Sequence, residues 1–218
     1  MARASLLARV GLSRPELRAW AMYDWAKSSF ETTVGVAVLP VYWSSVAAVS
    51  LTGPVASAYW GYTNSIALIL VALMSPVLGA MADFLGAKKK FLAGFMLVGV
   101  LATAALYFVG EGEWKLAAFL FIVGSIGVTA STVFNDSLLP SIAADDEVDR
   151  VSTAGYALGY FGGGVLLALN VVILTRPSLI GLDDVGTATK VVFGCRSSIV
   201  WKRLSNSAWV GTSIPDWL

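Results

Sequence analysis

Charged side chains are missing from long stretches of this sequence. No Asp, Glu, Lys or Arg occurs from Thr32 to Ala82, from Phe91 to Gly110, from Leu116 to Asn135 or from Val151 to Thr175. A helix at the surface of a water-soluble domain keeps a polar face, and these blocks offer none. Crossing the ~30 Å hydrocarbon core of a bilayer takes about 20 apolar residues in a helix. The three later blocks have that length. The first is long enough for two crossings, with Thr52-Gly53-Pro54 as the turn between them. The pattern therefore predicts an all-α integral membrane protein, a helical bundle with spans over residues 17–46, 56–82, 91–110, 116–139 and 151–175. Residues 1–16 are then an N-terminal tail. Ser13, with Glu16 three residues on, is placed to cap the first helix, and Pro15 suits its first turn. Pro40 and Pro76 fall inside spans, where neighbouring helices can satisfy the carbonyls they free.

Composition agrees with this reading and narrows it. The chain is 57% hydrophobic and 13% charged, with a mean hydropathy of +0.75, against about 25% charged residues in ordinary domains. A net charge of +1 gives no reason to invoke nucleic acid. The single cysteine, Cys195, allows no intrachain disulfide. The absence of histidine removes the usual neutral-pH base and the commonest metal ligand. No nucleophile–base pair or metal-ligand spacing stands out, so neither an enzyme nor a cofactor is expected.

The cations set an orientation. Arg3, Arg9, Arg14 and Arg18 precede or open the first span, Lys88, Lys89 and Lys90 follow the second, and the loop between the third and fourth has Lys115 alone. The positive-inside rule then puts the N-terminus and the lysine loop in the cytoplasm. The basic N-terminus lacks the short apolar core and small-residue cleavage site of a signal peptide, so it reads as a retained tail. The acidic loop 145–150 falls on the same side, where acidic residues weigh little.

Past residue 194 the pattern changes. A sixth span should continue from residues 187–194, but Cys195-Arg196-Ser197-Ser198 and Lys202-Arg203 interrupt it. Residues 195–218 are expected to be an out-of-frame tail, leaving five full spans and a damaged sixth in a truncated gene product. A short amphipathic interfacial helix is the other reading of that tail.

Three motifs carry the chemistry. The loop after the second span reads Gly79-Ala80-Met81-Ala82-Asp83-Phe84-Leu85-Gly86-Ala87-Lys88-Lys89. Gly79 would let two helices approach closely, Asp83 would end a helix at the interface, Gly86 would turn the chain, and the lysines would hold the loop on an anionic leaflet. This segment resembles the signature loop of major facilitator transporters, departing from it at Phe84 and Ala87. Two further segments, Arg18-Ala19-Trp20-Ala21-Met22-Tyr23-Asp24-Trp25-Ala26 and Phe134-Asn135-Asp136-Ser137-Leu138-Leu139-Pro140, occur with a glycine-rich run from Arg150 to Gly163. Together they are similar to the vacuole-effluxer branch of the major facilitators, over about residues 16–194, with Lys27 and Glu31 as departures.

The resemblance implies the N-terminal six-helix half of a longer transporter. It also implies alternating access for a small solute, among which amino acids are one choice, and a coupling proton or ion. The partners expected are the lipid bilayer, that solute and the missing C-terminal six-helix half, and the fragment alone would be inactive. The expected home is a bacterial plasma membrane with the N-terminus inside. The rival from another class is a non-transporting membrane scaffold.

Asp24, Lys27 and Glu31, at i, i+3 and i+7, share one face of an ideal helix. Each charge costs about 2.5–3.5 kcal/mol against lipid, so they must face a wet path or one another. As a path they offer either a proton-titrating carboxylate or a ligand for an ammonium group; as a ladder, Asp24–Lys27–Glu31 would only stabilise packing. Asn135 and Asp136 form a second polar site, which either joins the path or satisfies backbone near Pro140. Asn64 and Asn170 read as inter-helix hydrogen-bonding groups that could also touch solute. Gly155, Gly159, Gly162 and Gly163 form a small-residue stripe suited to close packing or sliding. Trp43, Trp60 and Trp114 read as interfacial anchors.

Overall fold

The computed structural model describes Leu7, residues 10–84 and residues 87–176. Gly86, the partial sixth span and the tail from residue 195 lie outside the described residues. The described part is all helical. A first continuous rod runs over residues 15–47 and is built of four pieces: α1 (Pro15–Phe30), a π-helical stretch (Glu31–Val38), α2 (Leu39–Tyr42) and a second π-helical stretch (Trp43–Ala47). It is followed by α3 (Gly53–Phe84), α4 (Lys88–Ala105, extended by a 3₁₀ turn Leu106–Phe108), α5 (Trp114–Ile142) and α6 (Val148–Thr175). The rod and each of the four helices after it overlap one of the charge-free blocks of the sequence.

Four helices, those containing α3, α4, α5 and α6, are long and apolar enough to cross a membrane. The first rod is not uniform in this respect. Its apolar part is Val34–Ala47, because Arg18, Asp24, Lys27 and Glu31 occupy the half before it. Two local expectations are corrected. Arg14, not Ser13, stands at the N-cap of α1, and no side chain caps it; Pro15 at the first position needs no N–H partner, which removes one of the orphan donors a cap would serve. The turn after the first rod falls on residues 48–51, and Gly53-Pro54 opens α3 instead of preceding it.

The π-helical turns have local causes. Pro40 has no N–H, and its ring would clash with a carbonyl one α turn earlier. The run Thr32, Thr33, Val34, Val36 and Val38 is β-branched, which crowds an α-helix. In the second stretch the hydroxyls of Ser44 and Ser45 donate to the Val41 carbonyl at 3.1 and 2.7 Å, competing with backbone donors.

Helix α5 is the hub. Helix α4 crosses it where Gly99 meets Gly127: a Cβ on Gly127 would lie 2.6 Å from the Gly99 nitrogen and 2.8 Å from the Phe95 carbonyl oxygen. Beside that crossing Phe91 and Phe95 stack on Phe134, with centroids 5.4 and 5.8 Å apart. Helix α3 packs on another side of α5, while the first rod lies mainly on α6 and touches α5. We call the end holding residues 15, 84 and 142 basal, and the opposite end distal.

At the distal end Trp43 is 2% exposed and donates from Nε1 to the Ala56 carbonyl at 2.9 Å. Trp60, Trp114, Tyr59 and Phe121 gather around it, with neighbouring centroids 4.7–6.4 Å apart. Trp43 is thus a core residue, with Trp60 and Trp114 packed against it, rather than a set of separate interfacial anchors. The turn that follows α4 is closed by the Glu113 carboxylate, which accepts from the Gly110 N–H at 2.6 Å. At the basal end Arg14 pairs with Glu147 at 2.7 Å, and Lys88 Nζ donates to the Ser137 carbonyl at 3.1 Å.

Candidate functional site

The first rod meets α5 and α6 in its basal half, and there the sequence motifs come together. Glycines on α6 make the contact possible. A Cβ on Gly155 would strike the Trp20 ring, one on Gly159 the Asp24 carboxylate, one on Gly162 the Trp25 indole, and one on Gly163 the Thr32 side chain. Gly155, Gly159, Gly162 and Gly163 are therefore the sockets for one face of the first rod. With so little side chain in the way, backbones can come close without the hydrophobic effect that drives such packing in water.

The other face turns to α5. Trp20 Nε1 donates to the Asn135 carbonyl at 2.9 Å. Tyr23 OH donates to Ser131 Oγ at 2.5 Å, and Ser131 Oγ in turn donates to the Val128 carbonyl at 2.8 Å. Asn135 is 1% exposed, and its side-chain oxygen accepts no hydrogen bond among the described residues. Tyr23, Ser131 and Trp20 were not singled out as site residues, although two of them lie inside a quoted motif. The signal available was an aromatic pair within one turn of a buried aspartate.

The three charges of the first rod separate. Asp24 is 6% exposed, held against Gly159. Lys27, 18% exposed, pairs with Glu31 at 3.6 Å, and Glu31 is 54% exposed. Lys27 also lies within electrostatic reach of Asp24 and of Asp136 across on α5, and Asp136 is exposed. The ladder is thus one pair, Lys27–Glu31, with Asp24 set apart beneath the α6 backbone. Spacing alone put the three on one face, but Gly159 covers Asp24 and no described residue covers Glu31 in that way.

Other expected site residues sit elsewhere. Asn64, half-buried on α3, donates to the Trp60 carbonyl of its own helix at 2.9 Å. Asn170 is buried on α6, above the glycine stripe. Gly79 does not bring two helices together here: a Cβ added to it meets nothing within 4 Å. Its face of α3 is unoccupied because α5 packs elsewhere on that helix. Asp83 is exposed, with no ion pair among the described residues, while Lys88 is committed to α5 and Lys89 follows it in the first turn of α4.

A bundle whose described residues include four helices long and apolar enough to cross a membrane is the architecture of an integral membrane protein. Comparison with known proteins gives the particular family. The family described as "Vacuole effluxer Atg22 like" matches residues 46–201. The uncharacterized MFS-type transporter YxiO of Bacillus subtilis is 34% identical over 177 residues, which cover 80% of this chain and 41% of YxiO. Autophagy-related protein 22 of Coccidioides immitis is 34% identical over 85 residues, 39% of this chain and 14% of that protein. Its counterpart in Neurospora crassa is 29% identical over 100 residues, 44% and 14% respectively. No solved structure matches. The chain belongs to the Atg22-like vacuole effluxer family and is an integral membrane protein related to MFS-type transporters. It spans about two fifths of the length of YxiO.

Proposed function

We propose that this chain is part of the N-terminal bundle of a secondary transporter, five full spans and a damaged sixth, that exports a small solute, amino acids being one candidate class, by alternating access. The first rod counts as a crossing in this reading, and the N-terminus lies in the cytoplasm of a bacterial cell. The observation that carries the proposal is the Lys27–Glu31 pair near the middle of the first rod, with Glu31 exposed at the bundle surface and Asp136 nearby. A charge at the centre of a membrane helix costs about 2.5–3.5 kcal/mol against lipid, so a wet path beside the pair is the economical explanation. Solute would bind there between this bundle and a second one, as in transporters built from repeats. A proton or ion on Glu31, Asp136 or Asp24 would bias the two access states. Asn64, Asn135 and Asn170 are the neutral candidates for contact with the solute.

Thiol chemistry tests the path. In a Cys195→Ala background, Glu31→Cys should react with a membrane-impermeant thiol reagent at least tenfold faster than Asp24→Cys, which the α6 backbone shields. Silence at both positions would favour a non-transporting scaffold. The need for a second bundle is tested by reconstitution: proteoliposomes holding this 218-residue chain alone should show no solute flux above empty vesicles, and robust flux would end the half-transporter reading.

A further inference from the structure

The first rod is pinned at both ends and carries slack between them. At the basal end Trp20 bonds to the Asn135 carbonyl and Tyr23 to Ser131. At the distal end Tyr42 OH donates to the Val109 carbonyl at 2.6 Å and Trp43 Nε1 to the Ala56 carbonyl at 2.9 Å. All four anchoring side chains are buried. Between the two pairs of anchors, Glu31–Val38 winds with wide turns, in which Leu39 N–H donates to Val34, five residues back. A turn closed by an i→i+5 bond holds a residue that an α turn does not. The rod therefore stores at least one spare residue between fixed ends. The hold of Thr32 on α6 is a divided one: its hydroxyl lies 3.3 Å from the Gly163 carbonyl and 2.8 Å from that of Ser28.

We propose that this spare residue is mobile: the wide turn travels toward α1, and as it passes Glu31 and Lys27 it rotates them while both anchored ends stay in place. A residue that the wide turn has passed rotates by about 100° and shifts ~1.5 Å along the axis. Glu31 then points where Phe30 points now, toward Gly124 of α5, whose added Cβ would lie 3.5 Å from the Phe30 ring. Thr32 takes over the exposed place. The bundle gains two settings of its charged face without moving a helix end. The use of this motion in transport rests on the path proposed above, but the motion itself does not.

The test uses the whole 218-residue chain in lipid nanodiscs, with Cys195→Ala and nitroxides on Glu31→Cys and Phe119→Cys, both exposed positions. Pulsed electron paramagnetic resonance should show two distances. Deleting Gly35 removes the spare residue, so it should collapse them to one and leave the apparent melting temperature within a few degrees. Deleting Ile69, an exposed residue in the ordinary α turns of α3, should instead unfold the chain, because every later residue of that helix is turned by about 100°. A single distance in the undeleted chain, two distances that survive the Gly35 deletion, or equal damage from both deletions would each overturn the proposal. Failure of the membrane-impermeant reagent at position 31 in the bilayer would refute the path, whereas the nitroxide is attached in detergent before reconstitution, so these distances are read independently of that result.

Discussion

The glycines of α6 differ in what surrounds them, and this sets the effect of adding side chains. At Gly159 a Cβ would strike the Asp24 carboxylate and Ser28, whereas at Gly164 it meets nothing within 4 Å. Gly159→Val should lower the apparent melting temperature in detergent by several degrees, following the about 1–3 kcal/mol typical of overpacking. Gly164→Ala should leave it unchanged or raise it slightly, since alanine favours helix over glycine by about 1 kcal/mol. Across the other interface, a double-mutant cycle with Tyr23→Phe and Ser131→Ala should give a coupling of about 0.6 kcal/mol, the size usual for hydrogen bonds inside membrane proteins. The stripe itself was legible in the sequence as small residues three or four apart. Its partners were not, because periodicity names the face of a helix and is silent about which helix lies opposite. Gly99 and Gly127 escaped notice for the same reason: an isolated glycine in an apolar run resembles many others until a second backbone is placed against it.

Elements were easier to read than their joints. Charge-free blocks mark helices because the bilayer requires length and apolarity together, so α3 to α6 each overlap one of those blocks. The wide turns of the first rod were not foreseen. Pro40 was visible, but a proline can kink, break or widen a helix, and the choice depends on the neighbours that pin it. The turn before α5 is likewise fixed by conformation more than composition. Gly112 has φ +77° there, and its N–H donates to the Val46 carbonyl at 3.1 Å. Gly112→Ala should cost about 1–2 kcal/mol, the penalty for an L-residue in the left-handed region, read as a lower midpoint in thermal unfolding.

At the scale of the whole molecule, the arrangement joins segments that are distant in the chain. The first rod owes its burial to α5 and α6, through Trp20 and Asn135, 115 residues apart, and Thr32 and Gly163, 131 apart. A ribosome adds about 5–20 residues per second, so Trp20 is made roughly 6–23 s before Asn135. For that interval Asp24 has neither the α6 glycines nor α5 beside it. Biogenesis of this protein must therefore include a waiting stage, in which the rod is held in the membrane before the later helices that lock it into place exist.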